Sequence, residues 1–398
     1  MPNRLITTAA MCSVAAALLS PSDGFAPTMA GRVRSRGRGE GGAVSLRAAS
    51  TCDSEIDRRS AIFRGAFGAA AASASTIIMP QAAHAAAAPA KAKARIPTWK
   101  LDKGVEFPTL ALNTVGLTAE DTERALGLAV AEGFSHVDFH PGKERDGVAA
   151  YVAKHGRDGL FLNTKIRKAP PGTSPADAAA RVKAQIDEDL RVLGIGQVDM
   201  LMLRDSPDPA VIQAQWAVLE EALAQGKTRS IGVINFCEGA LNAVLETAKV
   251  KPAINYYMLH VGMGPEAHGL RTFGESRGIK TFAYGACGEP GPSEELLSSP
   301  VLGRIGKVHQ KRPEEVALRW VLQTGAAVSV RPTTEFGLGT SACREGSKCA
   351  DGVKARADAF GFKLSAKEMS ELSAMTSPDD NPTLFSSAGC PGAFVMPK

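Results

Sequence analysis

The chain has 398 residues, 22% of them charged, and a formal net charge of +5. Residues 1–85 contain nine arginines, no lysine and five acidic residues, so they carry four of the five net positive charges. The rest of the chain is nearly neutral, which excludes recognition of nucleic acid or anionic lipid through bulk positive charge.

Residues 1–90 are rich in Ala, Gly, Ser and Arg and show little hydrophobic periodicity, so they predict a long targeting presequence without a fold of its own. Arg4 precedes an apolar run at 6–19, which is typical of a signal peptide. After Phe25, residues 31–50 carry five arginines and one acidic residue, the composition of a transit peptide. This combination resembles the presequences of algae whose plastids lie inside extra membranes.

A third targeting signal follows the transit segment. Arg58-Arg59 precedes a weakly apolar region and the sequence Ala83-His84-Ala85, as in a twin-arginine export signal with an A-x-A cleavage site. A membrane anchor is the alternative, since residues 65–83 are uncharged, but Ala, Gly and Ser gain little from lipid. We therefore expect cleavage near Ala86 and a mature protein without a membrane segment in the thylakoid lumen.

From Ile96 onward, short apolar runs alternate with helical patterns, which predicts an α/β fold: a (β/α)₈ TIM barrel over residues 96–376, with a tail at 377–398. A doubly wound open sheet is the alternative, but no G-x-G-x-x-G sequence follows the first strand. An N-terminal hairpin turning at Asp102–Gly104 is expected to plug the bottom of the barrel. The eight predicted strands are Thr109–Thr114, Ser135–Asp138, Leu160–Lys165, Val198–Leu203, Ser230–Ile234, Ala253–Tyr257, Ile279–Ala283 and Ala327–Arg331.

Several predicted helices have clear start signals. Ser174-Pro175 supplies an N-cap residue and a proline at the first helical position. Pro313 opens a later helix in the same way, and Ser365 with Glu368 forms a capping-box pattern.

The order of these segments resembles the aldo-keto reductase family over about residues 99–375. The most specific piece is the G-K-x-R-x-I-G-V-x-N-F pattern at 226–236, and the ordered set is more specific than any one piece. The matching segments are KLDKGVEFPTLALNT, ALGLAVAEGFSHVDFHP, FLNTKI, DEDLRVLGIGQVDMLML, WAVLEEALAQGKTRSIGVINF, KPAINYYMLH, GIKTFAYGACG, RPEEVALRWVLQTGAAVSV and FGFKLSAKEMSEL.

The resemblance implies NADP(H)-dependent reduction of a small carbonyl substrate, in which a Tyr protonates the oxygen, a Lys paired with an Asp lowers the pKa of that Tyr, and a His orients the carbonyl. Asp138 and Lys165 match the Asp and Lys at strand ends, with a strand-end ion pair or solvated surface charges as the alternatives. The Tyr is missing, because a shortened loop places Pro141 there. His140 is the nearest titratable substitute as an acid, or else it faces solvent on the loop.

Arg204 stands where the family has its His. A guanidinium does not act as a proton donor at useful pH, but it binds an oxyanion or a carboxylate through two parallel hydrogen bonds. Together with Lys165 it would make the pocket more positive and favour anionic ligands. The alternative is an ion pair with a neighbouring acid such as Asp205.

The resemblance also implies a cofactor site at further strand ends. Asn235 matches the residue that binds the nicotinamide carboxamide, although Ile234 replaces the Ser before it. Tyr284 matches the aromatic residue that stacks on the nicotinamide ring, and Tyr256 replaces a Gln at the same end. Arg331 falls where a cation binds the 2′-phosphate of NADP(H). The segment after it carries an insertion in which the family's other adenosine contacts have no counterpart.

The cysteines allow one local disulfide. Cys343 and Cys349 lie in the inserted segment and either form a disulfide in an oxidising lumen or remain two free thiols. No set of His and Cys residues has the spacing of a zinc site.

Two functions follow from these residues. The first is an NADP(H)-dependent reductase of small carbonyl compounds with an altered acid, supported by Asp138, Lys165, Asn235 and Tyr284. The second is a ligand-binding or scaffold protein on a barrel that has lost its activity, supported by the missing Tyr and His. Neither function involves nucleic acid, and the sequence does not indicate an oligomeric state.

Overall fold

The strands of the fold lie at the apolar runs of the sequence. The structure, a computed structural model, describes residues 95–333, 343 and 346–379. Its strands are β1 (Thr98–Lys100), β2 (Glu106–Pro108), β3 (Leu110–Asn113), β4 (His136–Phe139), β5 (Phe161–Lys165), β6 (Val198–Arg204), β7 (Thr228–Ile234), β8 (Ile254–Met258), β9 (Lys280–Tyr284) and β10 (Ala327–Val330).

In the part of the chain that is described, eight parallel strands close into a barrel in the order β10-β3-β4-β5-β6-β7-β8-β9. Closure is direct, since β10 pairs with both β3 and β9. The predicted TIM barrel is therefore confirmed and an open sheet is excluded. Each barrel strand begins and ends within two residues of its predicted bounds, because strands buried on both faces leave a continuous apolar run in the sequence.

The helices between the strands begin at the predicted signals. Ser174 caps the helix Pro175–Leu193 by accepting a hydrogen bond of 3.1 Å from the backbone N–H of Asp177. Ser365 and Glu368 form a reciprocal capping box at the start of the helix Ala366–Ser373. The helices are α1 (Ala119–Ala131), α2 (Lys143–His155), α3 (Pro175–Leu193), α4 (Pro209–Ala224), α5 (Glu238–Thr247), α6 (Leu270–Glu275), α7 (Ser293–Leu297), α8 (Pro300–His309), α9 (Pro313–Gln323), α10 (Lys348–Ala357) and α11 (Ala366–Ser373).

The N-terminal hairpin of β1 and β2 closes the end of the barrel where the strands begin. The ring of Phe107 lies 4.8 Å from the ring of His136 and 5.2 Å from those of Phe161 and Phe282. Burial lowers the pKa of His136 to about 4, so its ring is neutral at pH 7 and its Nδ1 donates to the carbonyl of Pro108. This plug leaves only the opposite end of the barrel open for a site.

Some features predicted from the sequence lie outside the described residues: the whole presequence, most of the inserted segment after Thr333, and the tail beyond Asp379. The described residues belong to one compact unit, residues 85–398. None of the described helices is long and apolar enough to cross a membrane.

Candidate active site

A buried ion pair lies where two neighbouring strands end. Asp138, near the end of β4, accepts a hydrogen bond from Nζ of Lys165, the last residue of β5. Both side chains have no exposed surface. Burial lowers the pKa of Lys165, and the carboxylate of Asp138 opposes that shift. The two residues assigned to the catalytic pair are thus brought together in the barrel.

Three further side chains donate to the carboxylate of Asp138. Nδ2 of Asn163 lies 3.0 Å from Oδ1, while the hydroxyl groups of Tyr256 and Ser329 lie 2.7 and 2.8 Å from Oδ2. Nδ2 of Asn113 in turn donates to the Tyr256 hydroxyl over 3.0 Å. The carboxylate is therefore held directly by residues of three strands, and through Tyr256 by a fourth, as a buried charge requires.

Tyr256 reaches Asp138 across the interior of the barrel, because β8 lies opposite β4 in the strand order. Burial, followed by the charge of Asp138, raises the pKa of the Tyr256 phenol well above its usual value. The phenol thus keeps its proton and donates a hydrogen bond to Asp138. The sequence assigned Tyr256 to cofactor binding by its position. Its hydroxyl instead contacts the Asp138–Lys165 ion pair, and Nζ of Lys165 lies 5.4 Å from the centre of its ring.

His140 is held by a carboxylate at the start of α2. Oε2 of Glu144 accepts from the backbone N–H of His140 at 2.9 Å and lies 3.0 Å from Nδ1 of the same residue. A carboxylate only accepts, so Nδ1 carries a proton and the neutral ring has its lone pair on Nε2. Glu144 is fixed in turn by Thr114 Oγ1 at 3.0 Å and the N–H of Gly116 at 3.1 Å.

The electrostatics of this His–Glu pair depend on its cationic surroundings. Burial lowers the pKa of His140 below 6.5, and the charge of Lys165 adds to that shift. Burial would raise the pKa of Glu144, but its bonds with His140 outweigh this effect and the pKa falls to about 2. At pH 7 the pair is therefore a neutral imidazole on a carboxylate. The side chain of His140 retains 21% exposure, so the ring is within reach of a ligand.

Arg204 ends β6, where it pairs in register with Ile234 of β7. It is half-buried, and its positive charge contributes to the lowered pKa values of both His140 and Lys165. Asp205, the acid that the sequence offered as an ion-pair partner for Arg204, instead accepts from Nζ of Lys168 over 3.0 Å.

The residues assigned to nicotinamide lie together beside this cluster. The hydroxyl of Tyr284, at the end of β9, donates to Oδ1 of Asn235 over 2.9 Å. Asn235 follows β7 with a φ of 59°, a left-handed conformation that Asn tolerates better than most residues. The ring of Tyr284 lies 5.1 Å from that of Tyr256. An amide and an aromatic face at the ends of β7 and β9, on either side of β8, fit a nicotinamide.

The opposite end of the predicted cofactor site is built from buried charges. Arg331 follows β10 and is 4% exposed, and its carbonyl accepts from Nε of Arg356 over 3.2 Å. Glu289 is also 4% exposed, and within the described residues its Oε2 has no hydrogen-bond partner. Burial raises its pKa, against the charges of Arg356 and Arg331. A buried carboxyl group with an unused oxygen fits a ligand hydroxyl group.

The disulfide is present. Cys343 and Cys349 are bonded, with a Cα–Cα distance of 5.0 Å, and both are buried. The backbone N–H of Cys343 donates to Asp121 over 3.2 Å, which fixes this end of the inserted segment to α1. Cys237 is disulfide-bonded too.

Sequence reasoning missed several site residues. Glu144 had a visible signal, since it lies four positions after His140 at the start of a helix. Asn113, Asn163 and Ser329 are polar residues within apolar strand runs, and that contrast marks side chains directed at a buried polar partner. Glu289 had no comparable signal, because it lies in a Gly- and Pro-rich loop.

The comparisons with known proteins agree with this architecture. The chain is 28% identical to aldo-keto reductase family 4 member C11 of Arabidopsis thaliana over 262 residues, covering 60% of this chain and 80% of that protein. It is 28% identical to 2,5-diketo-D-gluconic acid reductase B of a Corynebacterium strain over 285 residues, which cover 70% of this chain and 93% of that protein.

Solved structures show the same fold. An aldo/keto reductase from Brucella melitensis aligns with a TM-score of 0.58 at 24% identity, covering 70% of this chain and 97% of its own. A variant of Gox0644 in complex with NADPH aligns with a TM-score of 0.58 at 23% identity, and the alignment covers 71% of this chain and 94% of that chain. The model of the aldo/keto reductase family matches residues 109–376, which is more than half of the chain. The protein belongs to the aldo/keto reductase family.

Proposed function

We propose that the protein is an NADP(H)-dependent oxidoreductase that reduces small carbonyl compounds, with His140 as the proton donor. The observation that carries this proposal is the His140–Glu144 pair beside Lys165. It supplies an oriented, titratable group at the barrel mouth, where the family's tyrosine is absent. Support also comes from the relatives, one named as a diketo acid reductase and one solved with NADPH.

The chain's own residues divide the work of this reaction. Asn235 and Tyr284 would hold the nicotinamide, which supplies the hydride when bound. Tyr284 must then exchange its bond with Asn235 for contact with the ring. The imidazolium form of His140 donates the Nε2 proton to the carbonyl oxygen, while Glu144 keeps its hold on Nδ1 and stabilises the charged form.

The buried ion pair acts from a distance. Lys165 and Asp138 have no exposed surface, so they do not touch a substrate in this arrangement. The charge of Lys165 lowers the pKa of His140 and so makes the imidazolium a stronger acid. Asp138, with its four partners, fixes the position of that charge.

A second candidate function is ligand binding or scaffolding without turnover. Two observations favour it: the Asp138–Lys165 ion pair has no exposed surface, and the hydroxyl of Tyr284 already donates to Oδ1 of Asn235. A protein of this kind would bind a ligand at the barrel mouth without redox chemistry.

Titration of NADPH and NADP⁺ into the purified protein separates the two functions. The reductase proposal predicts binding in the micromolar range, a free energy of about −8 kcal/mol, detected by cofactor fluorescence and calorimetry. Tyr284→Leu should weaken this binding by removing the stacking surface, and Tyr151→Leu on α2 serves as the matched control. Absence of binding up to millimolar cofactor would leave the scaffold function.

The composition of residues 1–85 supports a location for the protein, and we propose the thylakoid lumen of a plastid that lies inside extra membranes. The supporting features are the signal-like, transit-like and twin-arginine segments in that order. Mass spectrometry of the N-terminus of protein from its native cells should find a start near Ala86. A chain that retains residues 65–83 would contradict this proposal.

A further inference from the structure

Among the residues that the structure describes, Arg204 has no hydrogen-bond or ion-pair partner for its guanidinium, although its five N–H groups could donate. It is half-buried at the end of β6, so it is not a freely solvated surface arginine. A half-enclosed guanidinium at the open end of a barrel has lost water contacts without gaining protein ones.

Three carboxylates on this side of the described barrel are engaged by other groups. Asp205 holds Nζ of Lys168 at 3.0 Å, and Asp138 holds Lys165. Glu144 accepts from His140 twice and from two further donors. These three carboxylates are therefore used elsewhere, and Arg204 keeps its charge at the end of β6, where the barrel opens.

Arg204 lies close enough to Lys165 and His140 for its charge to act on both, which places the three groups in one electrostatic neighbourhood. Nε2 of His140 makes no hydrogen bond to the described residues, so it remains available to a ligand. The two groups offer one ligand two contacts. The guanidinium of Arg204 forms a bidentate hydrogen bond with an anion, and the imidazole of His140 supplies a proton to a carbonyl oxygen.

The position of Arg204 distinguishes a substrate anion from a cofactor phosphate. Arg204 pairs in register with Ile234, the residue before Asn235, and so lies at the nicotinamide end. Arg331 follows β10, which lies opposite β6 in the barrel order. The two cations are thus on opposite sides of the barrel mouth, and only Arg331 is on the side assigned to phosphate.

From this geometry we infer that the substrate is a carbonyl compound that carries a carboxylate, and that Arg204 binds the carboxylate while His140 faces the carbonyl oxygen. This inference rests on the proposed reductase function. It assigns to the enzyme oxo acids and semialdehyde acids, in preference to neutral aldehydes and ketones of the same size.

Matched substrate pairs test the inference with the full chain and NADPH. The pairs are 4-oxobutanoate with butanal, and pyruvate with methyl pyruvate, each differing mainly in the carboxylate charge. We expect kcat/KM to favour the charged member by about 30-fold, the effect of one charge-assisted bidentate contact. In Arg204→Gln the ratio of the two kcat/KM values should fall to about one through a rise in KM for the charged substrate. In Arg204→Lys the ratio should lie between these values, since an ammonium group does not bind a carboxylate bidentately. Arg181→Gln, an exposed arginine on α3, should keep the full preference.

The outcomes separate the inference from the function on which it rests. Equal turnover of both members of each pair, or a preference that survives Arg204→Gln, overturns the inference and leaves the reductase function standing. Loss of NADPH affinity in Arg204→Gln with the preference intact assigns the arginine to a cofactor phosphate, which also overturns it. If no carbonyl is reduced, calorimetry with 4-oxobutanoate decides: binding that Arg204→Gln abolishes supports the carboxylate site, and no binding to the unaltered protein refutes it.

Discussion

The Lys165→Met protein is expected to unfold with a free energy about 3 kcal/mol below that of the unaltered protein, because Asp138 would keep its charge at a fully buried position without its cation. The hydrogen bonds from Asn163, Tyr256 and Ser329 would remain, but they do not supply a positive charge. Urea denaturation followed by circular dichroism measures the difference.

Two further variants make this result specific. Lys165→Met combined with Asp138→Asn should recover most of the lost stability, since no isolated charge is then buried. Lys154→Met removes an exposed lysine that pairs with Glu123 and should cost less than about 1 kcal/mol. If Lys165→Met costs no more than Lys154→Met, the ion pair does not hold this end of the barrel together.

The His140→Gln protein is expected to lose about 10²- to 10³-fold in kcat/KM for carbonyl reduction, the usual contribution of a positioned general acid. Binding of NADPH should remain, because Asn235 and Tyr284 are unchanged. His155→Gln, an exposed histidine at the end of α2, is the matched control and should retain full activity. Unimpaired reduction by His140→Gln would show that another group donates the proton.

The pH profile adds a second readout of the same residue. Because the pKa of His140 lies below 6.5, reduction, which needs the imidazolium, should slow as pH rises through that pKa. Oxidation of the alcohol by NADP⁺ needs the neutral ring and should rise over the same range. Glu144 raises the pKa of His140, so Glu144→Gln should move both limbs to lower pH. If the pH dependence of reduction or of oxidation does not shift in Glu144→Gln, His140 is not the group that titrates.

The barrel and the pairing of Asp138 with Lys165 could be predicted from local patterns in the sequence. Strands such as Phe161–Lys165 were recognisable because burial on both faces requires a continuous apolar run. Helix starts such as Ser174 and Ser365 were recognisable because a capping interaction is complete within four residues. Asp138 and Lys165 were identified together because both end strands of a parallel barrel, whose carboxyl ends share one face.

The hydrogen-bond and ion-pair partners of these residues depend on how the barrel closes. Tyr256 reaches Asp138 from the opposite strand, a contact between residues 118 positions apart that depends on barrel closure rather than on local pattern. Asp205 pairs with Lys168 and not with its neighbour Arg204, for which the described residues supply no other acid. Partner choice follows from side-chain distances in the closed barrel, and neither hydrophobic periodicity nor local propensity contains those distances.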